Sequence, residues 1–379
     1  MTIRASGLED LVFATTRLSD VDGAAGKLSI AGRAVEELAG AYPIEHVAWL
    51  LFYGADPTAD ELARTRRALG QARARAHART PALGDALDAP DAMDALRAGL
   101  AHITLPEVAG HDGLGAAFAR CLELAGAIAA FSGAWAGRRA RPGLAPIAPD
   151  PEAPHAADLA RLVSGEPTTD ARAPALDAYL VAVVDHGMNA STFAARVVAS
   201  TASDDGSAVG AALGALKGRL HGGAPGPVLD MLDAVAVDGD AARWVAAALS
   251  RGERIMGMGH RVYRVRDPRA EVLERAVRLL ERASGGAGVA ARLSLARDVE
   301  AAAEAALAAR HPERPLRANV EFYTAILLEA LGVPRELFTA TFAAARVFGW
   351  CAHVYEQRHA GKLIRPQSRF VAHAPLGAA

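Results

Sequence analysis

The sequence predicts an all-α protein. Ala, Leu, Arg and Glu dominate between Gly and Pro breaks, and apolar residues recur at helical spacing, while runs of Val, Ile, Thr and aromatic residues long enough for a sheet are scarce. The 379 residues, 51% of them hydrophobic, can fill the core of one large domain or two ordinary ones.

The one plausible hairpin comes first, in SDVDGAAGKLSI, with a turn at Asp22-Gly23. Residues 60 to 99 and 117 to 140, rich in Ala and Arg, read as surface helices of little specificity, and RPGLAPIAPDPEAP at 141 to 154 reads as a connection. From Pro174 the stripe Leu176, Tyr179, Leu180, Val183 and Val184 predicts a helix ending at DHGMN. Asn189 or Ser191 then caps the helix STFAARVVAS. Gly210, Gly214 and Gly218 follow, four residues apart. Each glycine costs about 1 kcal/mol against Ala in a helix interior, so a close helix approach, within the chain or across a subunit boundary, is expected to offset them. LHGGAPGPV and GMGHRVY are further breaks, and RPLRANVEFY opens a long final helical region.

The formal charge of -2 and pI of about 6.6 argue against a nucleic-acid or membrane-surface role. Cys121 and Cys351 have no CxxC spacing, so neither a zinc site nor a disulfide framework is expected, and a reducing, cytoplasmic compartment fits. The N-terminus shows no signal-peptide pattern, and no apolar run is expected to reach the ~18 residues of a membrane span.

The candidate chemistry centres on GMGHRVYRVRDPRA at 257 to 270, where His260 precedes Arg261, Arg264, Arg266 and Arg269. His186, His221 and His260 each stand at a helix break beside glycine, where backbone can approach a ligand. Arg269, Arg346 and Arg365 are arginines fixed by neighbouring Gly or Pro, and NVEFY supplies a carboxylate. Guanidinium groups grip carboxylates in two-pronged fashion, so several of them suggest a substrate with more than one carboxylate. His77, His102, His111, His155, His311 and His373 read as solvated. HVYEQRH at 353 to 359 falls one residue short of a zinc helix, with Gln357 where a histidine is needed, and reads as a solvated face. GMGHRV is half of a dinucleotide fingerprint, and neither a phosphate loop nor a nucleophile elbow is present.

Taken together, DHGMNASTFAARVVAST, LHGGAPGPVLDML, IMGMGHRVYRVRDPRA, NVEFYTAILLEALGVP, ARVFGWCAHVYEQ and KLIRP, in this order, resemble the citrate synthase family nearly end to end. The resemblance implies an almost wholly helical fold: a large domain from residues 1–222 and 330–379, a smaller helical domain inserted at 223–329, and a cleft between them. It implies a homodimer of the short type with shared active sites, acting on oxaloacetate and a CoA thioester, with no metal and no tightly bound cofactor. His260 resembles the histidine that polarises the ketone of oxaloacetate, and His221 the one that holds the acetyl-CoA carbonyl as it enolises. Glu321 takes the place of the base, which is Asp in most of the family. His186, Asn189, Arg269 and Arg346 resemble the oxaloacetate contacts, with Arg365 supplied across the dimer. The backbone at Ile255, Met256 and Gly257 and the side chain of Arg264 resemble the coenzyme A contacts. Two alternatives accompany this reading: a 2-methylcitrate synthase using propionyl-CoA, and a non-catalytic relative that binds CoA or oxaloacetate.

Overall fold

A small antiparallel sheet precedes the helices: β1 (Ser19–Asp22) pairs with β2 (Lys27–Ile30), and β3 (Arg33–Ala34) pairs with β2 on its other side. The turn falls where expected. The Asp22 carboxylate accepts the N–H groups of Ala24 (3.0 Å) and Ala25 (2.8 Å), and Gly26 closes the turn at a φ of +65° that favours glycine. The computed structural model describes residues 11–106, 114–223, 225–260, 262–284, 287–313, 316–368 and 370. Arg261, His111 and His373 lie outside the described residues.

Helices account for nearly all the rest, as an all-α chain requires. α1 (Val35–Leu38), α2 (Ile44–Tyr53), α3 (Ala59–His77) and α4 (Ala92–Leu100) lead into α5 (Leu114–Ala140). Beyond the irregular stretch at 141–154 come α6 (His155–Ser164), α7 (Arg172–Ala182), α8 (Ala190–Ala199) and α9 (Asp205–Leu216). α10 (Pro225–Asp238), α11 (Ala241–Ser250), α12 (Pro268–Ser284), α13 (Ala287–Arg310), α14 (Val320–Ala330) and α15 (Phe338–Ala360) complete the order.

The Ala-rich segment at 117 to 140 is not a surface helix. Cys121, Leu124, Ile128, Phe131 and Trp135 of α5 are buried, and the small residues between them let other helices approach closely. A Cβ on Gly126 would lie 2.7 Å from the Ala72 side chain of α3, and one on Gly133 2.7 Å from Leu162 of α6. Two helical stretches, Gly115–Ala140 and Arg335–Ala360, are in fact long and apolar enough to cross a membrane by length and composition. Most of each is buried inside the protein, which accounts for its composition.

Two histidine readings are corrected in the same way. His155 is fully buried: its Nδ1 lies 3.1 Å from Arg73, whose guanidinium also donates to Asp158 (2.7 Å) and to the carbonyls of Asp150 (3.0 Å) and Ala153 (2.9 Å). This cluster ties the 141–154 connection to α3. The HVYEQRH segment is not a solvated face either, since His353 and Gln357 are buried against α8. α9 ends at Leu216, leaving Gly218 beyond it, and among the described residues a Cβ on Gly210 or Gly214 would meet nothing within 4 Å. Among the described residues these two glycines make no close helix approach.

Arg73→Ala should lower the unfolding free energy by about 3 kcal/mol in a urea titration, the low end for breaking a buried ion pair because Arg161 still reaches Asp158 at 2.6 Å. A loss below about 1 kcal/mol would show that the cluster is not a net anchor.

Candidate active site

The loop before His260 is shaped by its glycines. Gly257 and Gly259 adopt φ values of +74° and +85°, and a Cβ on Gly257 would lie 2.9 Å from Phe322. The loop lies antiparallel to residues 317–319: the Gly259 N–H donates to the Arg317 carbonyl (2.7 Å) and the Asn319 N–H to the Gly257 carbonyl (2.9 Å). The Asn319 side chain completes the junction, donating from Nδ2 to the Gly259 carbonyl (2.8 Å) and accepting the Glu321 N–H at Oδ1 (3.0 Å) as the N-cap of α14. One residue thereby holds His260 and Glu321 in fixed relation.

His260 Nδ1 accepts the N–H groups of Val262 and Tyr263, both at 3.0 Å, so the neutral ring carries its proton on Nε2. Burial, with Arg269 adding to it, pushes this histidine down to about 4. The His186 ring stands 5.6 Å from it, nearly edge-on, with Nε2 3.1 Å from the Tyr263 hydroxyl. Burial and then Arg269 and Arg346 hold His186 well below the usual range. His221 packs edge-on to Phe342, and burial with Arg346 pushes it down to about 4. Its Nε2 lies 2.9 Å from Ser191 Oγ, which in turn receives the Trp350 indole N–H at 3.1 Å. The three histidines are therefore neutral at neutral pH.

Two buried guanidiniums face them. Arg269 binds Asp267 in two-pronged fashion, Nε to Oδ1 at 3.0 Å and Nη2 to Oδ2 at 2.7 Å, which leaves Nη1 uncommitted among the described residues. Arg346 donates from Nε to the Val183 carbonyl (2.6 Å) and lies over the Phe342 ring, while its Nη2 is buried without a partner among the described residues. Burial lowers Arg346 to about 10, so it remains charged at neutral pH. Glu321 acts on both arginines, and its carboxylate accepts no hydrogen bond from a described residue. Burial raises it to about 7; Arg269 and Arg346 oppose that rise and Asp267 reinforces it.

Not every expected residue joins the cluster. Arg266 pairs with Glu300 (2.9 Å) and Glu274 (3.1 Å), so it awaits no ligand. Asn189 is taken up by the α8 cap: Oδ1 accepts the N–H groups of Ser191 and Thr192, both at 3.1 Å, and Nδ2 donates to the Gly187 carbonyl (3.2 Å) and the Thr192 hydroxyl (3.0 Å). That amide orients the helix start and keeps no donor for a substrate. Ile255 is buried, Met256 and Gly257 are partly open, and Arg264 is exposed with its N–H donated to the Gly23 carbonyl (2.8 Å). Val262 and Val265 sit so tightly on the β1–β2 turn that a Cβ on Gly23 would lie 2.3 Å from the Val262 carbonyl oxygen. Arg365 is exposed on the tail after α15, where it lines a groove with Phe13, Arg17, Arg196 and Tyr355. Sequence reasoning missed Tyr263, Ser191 and Trp350; each stands inside a quoted block, but nothing in its spacing marks it as a partner of a histidine.

The model of the citrate synthase C-terminal domain matches residues 7–367. The chain is 37% identical to the citrate synthase of Haloferax volcanii over 98% of its own length and 96% of that protein. It is 48% identical to putative citrate synthase 2 of Mycobacterium tuberculosis over 201 residues, and there the chain spans about half (52%) of its relative. Among solved structures, the citrate synthase of Thermoplasma acidophilum, in ternary complex with carboxymethyl coenzyme A and oxaloacetate, superposes with a TM-score of 0.83 at 27% identity, covering 98% of this chain and 97% of that one. The chain belongs to the citrate synthase family.

Because Glu321 ionises less readily in the folded protein than at its ordinary 4.5, the native state holds more protons than the unfolded one between about 4.5 and 7. Its contribution to stability therefore falls as pH rises through that window. Denaturation of Glu321→Gln should show a smaller loss of stability from pH 5 to 8 than the parent; an unchanged slope would contradict the assignment.

Proposed function

We propose that this protein condenses acetyl-CoA with oxaloacetate and hydrolyses the resulting thioester to citrate and CoA. The observation that carries the reading is the pair of buried guanidiniums, Arg269 and Arg346, each with N–H groups left over, facing neutral histidines and a carboxyl raised to about 7. Such donors suit a small dianion, and a carboxylate tuned near neutral pH suits proton abstraction.

In this reading Arg269, Arg346 and His186 hold the carboxylates of oxaloacetate, and the Nε2–H of His260 donates to its ketone oxygen. Glu321 removes a proton from the acyl methyl group. His221, whose Nε2 lies 2.9 Å from Ser191 Oγ, steadies the enol oxygen as charge develops. The enol carbon attacks the polarised ketone, and water then cleaves the thioester. The backbone at Ile255, Met256 and Gly257 and the Arg264 side chain meet coenzyme A.

The same reading makes residues 223–329 a smaller unit closing on a larger one formed by 1–222 and 330–379. It makes the protein a cytoplasmic homodimer in which Arg365 of one subunit serves the other's cleft. The exposed position of Arg365, the open face at Gly210 and Gly214, and two unpaired cysteines support it. A propionyl-CoA reaction is the second reading, supported by 34% identity to the 2-methylcitrate synthase of Mycobacterium tuberculosis over 97% of this chain. A pocket separates acyl groups that differ by one methylene by only ~1–3 kcal/mol.

A thiol-release assay with oxaloacetate and either acyl-CoA tests the reading. CoA release is expected, with kcat/KM rising as pH increases through about 7 because Glu321 must be ionised. The ratio of kcat/KM values decides the acyl group, and no release from either substrate overturns enzymatic turnover in favour of the binding relative. Glu321→Gln should abolish turnover while oxaloacetate still binds; retained turnover would mean that another group is the base. Mixing Arg365→Ala with a His260→Ala subunit should restore activity, and verified mixed dimers without rescue would contradict shared sites.

A further inference from the structure

The HVYEQ segment of α15 is the motif that this chemistry leaves unused. His353 and Asp185 are both fully buried. Nδ1 of His353 faces Nη1 of Arg196 at 2.9 Å, and a guanidinium can only donate, so Nδ1 accepts and the proton sits on Nε2. That Nε2–H points at Oδ2 of Asp185, 3.2 Å away. The same oxygen accepts the Ser19 hydroxyl at 2.5 Å, and Ser19 Oγ accepts the Gly187 N–H at 2.9 Å. The residues on either side of His186 are thus clamped, one through its side chain and one through its backbone.

The outer end of the chain of bonds is held equally firmly. Arg196 donates from Nε to Gln357 (3.0 Å) and from Nη1 to Glu356 (3.1 Å), and Glu356 also accepts the Thr16 hydroxyl (2.8 Å) and the Arg17 N–H (3.1 Å). Gln357 further donates to the Lys362 carbonyl (3.0 Å), at the start of the tail that carries Arg365. α15 packs flush against this corner: a Cβ on Gly349 would lie 2.4 Å from the Val184 carbonyl oxygen.

We propose that His353 is a positioning residue for His186, acting through Asp185, with Arg196 setting its tautomer and Ser19 closing the clamp. The inference rests on the reading of His186 as an oxaloacetate contact. An imidazole that must meet a carboxylate needs its backbone fixed on both sides, and a buried carboxylate keeps its orientation only while its donors do.

His353→Leu removes both bonds, whereas His353→Gln keeps an acceptor for Arg196 and a donor for Asp185. Steady-state kinetics and calorimetry should show the oxaloacetate KM and Kd raised about tenfold or more in His353→Leu, as for loss of a hydrogen bond to a charged group. kcat should stay within about threefold and the KM for acyl-CoA should be unchanged. His353→Gln should recover most of the affinity. Ser19→Ala should move the oxaloacetate values in the same direction; it stands on the partly exposed strand β1 and reports on the clamp even if His353→Leu does not fold. A fall in kcat at unchanged oxaloacetate KM, a His353→Gln no better than His353→Leu, or a Ser19→Ala equal to the parent overturns the proposal. Nitrogen-15 histidine spectra separate this from failure of the functional reading. If the parent binds no oxaloacetate, an Nε2–H tautomer at His353 and displaced His186 signals in Ser19→Ala still uphold the clamp, and their absence rejects it.

Discussion

The site depends on the amide of Asn319. His260 and Glu321 come from segments some sixty residues apart in sequence, the first an irregular loop and the second the opening turn of α14. The Asn319 side chain binds the carbonyl of Gly259 on one side and the first turn of α14 on the other, while its backbone N–H binds Gly257. An imidazole and a carboxylate are placed relative to each other by a single residue of limited rotamer freedom. The glycines of the loop follow from this closeness, since Gly257 lies against Phe322 of the same helix.

Burial then sets the charges. The same removal from water lowers His221 and His260 to about 4, lowers Arg346 to about 10 and raises Glu321 to about 7. At neutral pH the result is a pair of cations, neutral hydrogen-bond donors and a carboxyl poised between its two states. Asp267 keeps Arg269 charged at small cost, because its other donors are the backbone N–H groups of Arg269 and Val320. In the proposed reaction, these are the conditions under which a weak carbon acid can be deprotonated.

Much of this was legible in the sequence, for stated physical reasons. The helix carrying Leu176 and Tyr179, the hairpin turn at Asp22, and the glycine-flanked histidines announce themselves through period and turn chemistry. What escaped was context. α5 reads as bland because Ala and Gly look the same on a surface and in a close-packed core, and only its neighbours α3 and α6 distinguish them. His155 and His353 looked solvated because their partners, Arg73 and Arg196, are more than eighty and one hundred and fifty residues away in the chain. Asn189 lies in a block that resembles substrate contacts, yet its amide is fully engaged in the cap.

For the proposed reaction, a carboxylate one methylene longer than aspartate must still reach the reacting carbon from the place Asn319 gives it. A crystal structure of the protein with oxaloacetate and carboxymethyl coenzyme A measures this directly. The Glu321 carboxylate is expected at roughly 3–3.5 Å from the acyl-terminal carbon, with Nε2 of His260 on the ketone oxygen. A carboxylate turned away from that carbon, with the ketone oxygen out of reach of His260, would contradict it.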